Sequence, residues 1–313
     1  MNLISSQAVA MKPIARHGRM AMLLAGLLAA SWNAHALNVV GYVNVTLTNG
    51  YTFLANPLQN STNDCVTNLL QYAPTGSRTY AWDITNQVFH PRATRSAPGW
   101  DTNYSLPVGR GFVVYAQQQW TNTFVGNVIQ GRVTNFLAGN NGFSLVGSII
   151  PVGGPISAMM SNAFPILDGS TAHFFRSPGQ IFSDSYTCYT NYGWSDPKGI
   201  EGTNGPSCNV GEGFLIQNPG LPTNWTGNFT VSRPAPSSVV TMEINQLQIT
   251  GGTATLDWAD PGGGRYDVQF STDGAVWTTI AARHSGNTWA GPLPNPTAGR
   301  FQVVAAKNER RTK

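Results

Sequence analysis

Side chains able to act as acids, bases, nucleophiles or metal ligands are sparse in this 313-residue sequence. Of its five histidines, His17 and His35 fall in an N-terminal segment that reads as removable, which leaves His90, His173 and His284 far apart. None has a His, Cys or Glu at metal-ligand spacing, so neither a metal nor another cofactor is expected. The motifs of covalent hydrolysis, zinc-water attack and phosphate binding (G-x-S-x-G, H-E-x-x-H, the P-loop) do not occur. Gly109-Arg-Gly111 and Gly211-Glu-Gly213 are spaced like a phosphate loop, but each leads into a strand-like run and they carry opposite charges. A bend at a strand start is the expectation. Glycosidase chemistry needs two carboxylates roughly 5–9 Å apart. Asp64, Asp83 and Asp101 occupy one stretch and Asp184, Asp196, Glu201 and Glu212 another, with nothing to pair any two. Asp257-Trp-Ala-Asp-Pro-Gly262 lacks the carboxylate density of a calcium cage.

The aromatic residues offer a different chemistry. A sugar ring sets its polarised C–H groups on the electron-rich face of an indole or phenol, and neighbouring Asn, Gln or Asp read the hydroxyls. Trp100, Trp120, Trp194 and Trp225 stand beside Asn, Asp and Thr in loop-like stretches. They are either ligand platforms or shared elements of a repeated fold. Trp258 continues a face with Leu256 and is expected in the core. The stretch Ser195–Asn209 is unusually long and holds Asp196, Lys198, Glu201 and Cys208; Tyr186, Tyr189 and Tyr192 precede it. Long loops carry function more often than strands do. The candidate ligand-binding set is therefore Tyr186, Tyr189, Tyr192, Trp194, Asp196 and Glu201, with Trp100 and Trp120 next. Cys188 and Cys208 flank the Gly- and Pro-rich part of this loop, and a disulfide between them is expected. Cys65 is left over and reads as a small buried apolar residue.

These residues are positioned by an internal duplication. Asn49-Gly-Tyr-Thr-Phe-Leu-Ala-Asn-Pro-Leu58 matches Asn141-Gly-Phe-Ser-Leu-Val-Gly-Ser-Ile-Ile150. Val66, Leu69 and Leu70 match Ile156, Met159 and Met160. Gly99-Trp100, Val108–Phe112 and Trp120–Phe124 match Gly193-Trp194, Val210–Phe214 and Trp225–Phe229 in the same order. A repeat of this length is a small domain. Its runs are strand-like, apart from a spacing of i, i+3, i+4 that predicts one short helix per copy, capped by Asp64 in the first and opened by Pro155 in the second. Between the Gly-Trp and Gly-x-Gly-Phe landmarks the first copy runs 9 residues and the second 17.

After Ser232-Arg-Pro-Ala-Pro-Ser-Ser238, a Pro/Ser linker, alternation returns: Ala254, Leu256 and Trp258, then Tyr266, Val268 and Phe270. Leu256-Asp-Trp258, Tyr266–Gly274, Trp277 and Phe301-Gln-Val303 together resemble the fibronectin type III and related immunoglobulin-like modules of bacterial secreted proteins. The resemblance covers about 70 residues where ~100 is usual, so a strand is expected to be missing. The duplicated unit, through Tyr51–Leu58, Tyr80-Ala-Trp82 and Leu106–Val114, resembles repeat units of bacterial secreted proteins and implies no activity.

The ends of the chain set its compartment. Lys12, Arg16 and Arg19, the apolar run Met20–Ala30 and Ala34-His35-Ala36 have the layout of a secretory signal peptide cleaved before Leu37. Met11 is an alternative start. The run is too short for the ~20 residues of a membrane span, and no transmembrane segment is expected in the mature chain. The basic ends account for the formal charge of +4; the body holds eleven basic residues against thirteen acidic. A nucleic-acid partner is not expected from such a body. Asn-x-Ser/Thr sequences at Asn44, Asn60, Asn103, Asn224 and Asn228 read as turn and strand chemistry in a bacterial chain.

The expectation is thus an all-β chain. It comprises a signal peptide (1–36), β-sandwich or barrel units at 37–128 and 129–231 with one short helix each, a linker (232–238), a small fibronectin-like sandwich (239–306) and a basic tail (307–313). The expected role is that of an exported, non-catalytic structural or adhesive surface protein. Binding of glycans or cell-envelope components beside secreted polysaccharide-degrading enzymes is the alternative, and a cryptic hydrolase the third reading.

Overall fold

The computed structural model describes residues 39–60, 63–159, 163–231, 241–259 and 264–306. The expected signal peptide, the linker and the basic tail lie outside the described residues. The chain is all-β, built of antiparallel sheets. The α-helix Val66–Leu69 forms where the apolar spacing predicts, with Val66 and Leu69 buried. Asp64 does not cap it; Cys65 holds that position without a side-chain bond. The Asp64 carboxylate instead accepts from Asn60 N at 2.9 Å and Asn56 Nδ2 at 3.1 Å. Among the described residues the second expected helix is not formed. Gly154–Pro155 is a strand paired with Ser207–Cys208 of the long loop, and a turn follows it. The first sheet's region has a counterpart at the matching positions, where Cys65 bridges Ser105 and Val66 N donates to Tyr104 O at 3.1 Å.

Two larger sheets share one strand order. Gly50–Ala55, Gly111–Ala116, Arg78–Asp83, Ala93–Ser96 and Gly99–Trp100 lie side by side in one; Gly142–Val146, Phe214–Asn218, Thr171–His173, Tyr186–Tyr189 and Gly193–Ser195 do so in the other. Registers match as well: Leu54 stands opposite Phe112, and Val146 opposite Phe214. The first strand of each sheet meets the Gly-x-Gly turn of the other. Leu54 bridges to Glu212 and Val146 to Arg110. Ala55 N donates to Gly211 O at 2.9 Å, and Gly147 N to Gly109 O at 3.0 Å. The glycines have a steric cause here. A Cβ on Gly213 would lie 2.5 Å from Leu54 O, and one on Gly111 would lie 2.9 Å from Leu145 O. Phe53, Val113 and Leu145 fill the seam, and Phe175 stacks on Phe53 with ring centroids 4.9 Å apart.

The strand preceding each sheet pairs with the strand that follows it: Val40–Leu47 with Trp120–Asn127, and Gly131–Leu137 with Thr223–Phe229. The first of these pairs is extended. Val40–Leu47 also takes Ala298–Ala305, followed by Arg265–Ser271 and Thr278–Ser285. Ile244–Thr250, Thr253–Trp258 and Thr288–Pro292 form a separate three-stranded sheet. Val40 and Tyr42 are buried with Leu256, Trp258, Phe270, Phe301 and Val303. Each such side chain contributes about 1.5–3 kcal/mol of transfer free energy. The sheet that holds Ala298–Ala305 is thus continued by Val40–Leu47, the strand at the start of the described residues.

Candidate functional site

The long loop folds onto its own backbone. Asp196 Oδ1 accepts from Lys198 N and Ile200 N, both at 2.9 Å. Thr203 and Trp194 exchange backbone hydrogen bonds, and Ile156 N donates to Pro206 O at 3.0 Å. Trp194 is 1% exposed, packed with Phe164, Phe214 and Trp225 in one core, and has no ring face to offer a ligand. This corrects its place in the candidate set. Trp225 is also buried, its Nε1 donating to Ala163 O. Tyr186 packs against the same core, whereas Tyr189 and Tyr192 are exposed, as is Glu201. Residues three apart on a strand face opposite sides, so Tyr186 and Tyr189 do not share a surface. Trp100 is half-buried and donates from Nε1 to Leu70 O at 3.0 Å. Trp120, also half-buried, stands opposite Leu47 in another sheet. Of the eight candidates, Trp194 is buried and Trp100 and Trp120 belong to other sheets, while Tyr189, Tyr192 and Glu201 are the exposed ones.

The expected Cys188–Cys208 disulfide is not formed; Cys65, Cys188 and Cys208 are all free and buried. Cys188 sits opposite Trp194, while Cys208 sits opposite Gly154 on a different pair of strands. Burial raises the pKa of both thiols, and Glu212 adds to the rise at Cys208. They pack as small apolar groups. Glu212 accepts from Arg176 Nη1 at 2.8 Å and from Asn209 N at 2.8 Å. Burial raises its carboxyl pKa, opposed by the Asn209 bonds and the Arg176 charge. The histidines occupy separate places: His90 stacks on Tyr104, His173 contacts Thr171 at 3.1 Å, and His284 contacts Thr288 O at 2.5 Å.

A cleft of about 740 Å³ lies elsewhere, between two sheet edges. One wall is Trp120–Asn127, the last strand of its sheet; the other is Ile244–Thr250, an edge strand of the three-stranded sheet. The helix Val66–Leu69 and the turn after it contribute Asn68, Gln71 and Tyr72. Along the second wall Ile244 and Leu247 point into the core, which leaves Asn245, Gln246 and Gln248 exposed. Among the described residues, Asn60 and Asn127 bring the primary amides of the lining to seven, beside Glu243 and Asp257, with no Lys, Arg or His. Tyr72 is 65% exposed. Reading the sequence for aromatics and loops missed this group because its members come from three distant segments. The one local signal was the amide-rich run Asn245–Gln248.

Compared with known protein families, curated proteins and solved structures, the chain matches none.

Proposed function

We propose that this chain is an exported, non-catalytic structural or adhesive protein that displays linked β modules at a cell surface. In this reading the two sheets of equal strand order are copies of one unit, and the C-terminal sheets are a fibronectin type III-like module. The supporting observation is the way the modules are joined. Each of the two sheets supplies backbone hydrogen bonds to the other, and the strand Val40–Leu47 is shared with the C-terminal sheet. Such a block resists reorientation of its parts, which suits a scaffold holding a recognition surface away from a cell. The amide-lined cleft is the recognition surface in this reading. The layout of residues 1–36 supports export.

The test is to express the full chain with a C-terminal epitope in a bacterial host, fractionate the cells and sequence the N-terminus of the exported form. Leu37 is the expected first residue, with the epitope open to protease on intact cells. An uncleaved chain confined to the cytoplasm would refute the reading.

A further inference from the structure

We infer that the cleft between Trp120–Asn127 and Ile244–Thr250 is a binding site for a neutral oligosaccharide. The inference rests on the adhesive reading only for the ligand being extracellular; the chemistry comes from the walls. A primary amide presents an acceptor oxygen and two donor hydrogens in one plane. A sugar presents adjacent hydroxyls, each both donor and acceptor, so amides at several points along a cleft match a chain of such rings. The cleft has seven amides, and Gln71, Asn245, Gln246 and Gln248 are exposed among them. Tyr72 adds an open ring beside Gln71, the platform that C–H groups of a pyranose require. About 740 Å³ is within the range of sites that enclose a small organic ligand.

Charge narrows the class. Glu243 and Asp257 are the charged residues of the lining. Among the described residues, phosphorylated, sulfated, sialylated or uronic glycans would meet two carboxylates and no cation. Neutral hexose or pentose chains carry no such penalty. Asn245 Nδ2 already donates to Asp257 Oδ1 at 3.1 Å, which leaves its amide oxygen and the second carboxylate oxygen to meet hydroxyls.

An extended peptide is the competing occupant, because both walls are sheet edges. Strand addition draws its specificity from pockets that take alternate side chains. Here Leu69, Phe124, Ile244 and Leu247 are buried in the core and open no such pockets. The most exposed side chains of the Ile244–Thr250 wall that line the cleft are the amides Asn245, Gln246 and Gln248, with Val125 and Ile249 only partly exposed beside them, which favours hydroxyl recognition.

The purified full chain should be applied to an array of neutral and acidic oligosaccharides, and any ligand titrated by calorimetry. The expected result is binding to neutral chains and none to sulfated or sialylated ones. Tyr72→Ala, and separately the pair Gln246→Ala and Gln248→Ala, should each weaken binding on the order of tenfold, the effect of about 1.4 kcal/mol. All three side chains are exposed, so the fold should survive, and an unchanged thermal melt checks that it does. Binding restricted to acidic glycans, binding unchanged by these variants, or no binding to any neutral glycan would each overturn the inference. Capture of extended peptides by the same cleft would overturn it in favour of strand addition. A chain that is exported and surface-exposed yet binds no glycan would leave the display reading standing and remove this one alone.

Discussion

Gln87 and Gln180 hold the same backbone geometry and perform the same task in opposite directions. Both are left-handed, with φ of 56° and 51°. Gln180 Oε1 accepts from Tyr51 N at 2.6 Å, and its Nε2 donates to Tyr51 O at 3.0 Å. Gln87 Oε1 accepts from Phe143 N at 2.7 Å, and its Nε2 donates to Phe143 O at 3.0 Å. Each also donates to the carbonyl three residues back, Ser177 O or Ile84 O, at 2.6 Å. The glutamine of each half thus substitutes for a neighbouring strand along the first strand of the other half.

Gln87→Ala and Gln180→Ala should each destabilise the chain by about 1–3 kcal/mol, from three lost hydrogen bonds with the peptide groups left less well paired. Similar losses from the two variants, read from urea midpoints, are the expected outcome. A loss confined to one of them would mean that the clasps do not act alike.

Gly111→Ala and Gly213→Ala should be far more damaging than a glycine-to-alanine change in open space. The added methyl would press on the main chain of Leu145 or Leu54, which has no side-chain freedom to yield. A cost of about 2 kcal/mol or more, or failure to fold, is expected. Gly251→Ala is the control: its φ of 57° is strained, but nothing lies within 4 Å. It should cost only about 1–2 kcal/mol. Equal melting temperatures for Gly213→Ala and Gly251→Ala would contradict the steric account.

The chain should carry no intramolecular disulfide. Denatured without reductant, it should titrate three thiols, and reduction should leave both its mass and its melting temperature unchanged. A mass gain of two hydrogens on reduction would overturn this, and peptide mapping would tell whether the bridge is Cys188–Cys208.

Glu212 should make stability fall as pH rises through a window above the ordinary glutamate range. Burial raises its folded pKa, so within that window the folded chain holds more protons than the unfolded one. The contribution is complete below the unfolded pKa and is lost as pH passes the folded value. Glu212→Gln should flatten this slope above the ordinary glutamate range, measured as urea midpoints. An unchanged slope in the variant would assign the effect to another group.

What the sequence determined by itself was periodicity and local steric demand. Alternating runs set the strands, and the apolar spacing at Val66 and Leu69 set the one helix. Alternation also put Leu256 and Trp258 in the core. The Gly-x-Gly turns were legible as strand starts, though the reason for their glycines was not: it lies in Leu54 and Leu145, residues far away in the chain. Tertiary structure decided the rest. Pro155 reads as a helix start but pairs with Ser207 and is followed by a turn, whereas Cys65 pairs with Ser105 in the same way and does precede a helix, a difference that local spacing does not reveal. Trp194 reads as either a loop platform or a fold element, and its burial decides for the fold element, because exposure depends on what the other sheet elements cover. Val40–Leu47 continues the C-terminal sheet through pairings more than 250 residues apart. The amide cleft exists only where two sheet edges meet the turn bearing Gln71 and Tyr72. Side-chain periodicity is set by each residue's near neighbours, whereas edges, seams and clefts depend on which surfaces remain unpaired once the chain has closed on itself.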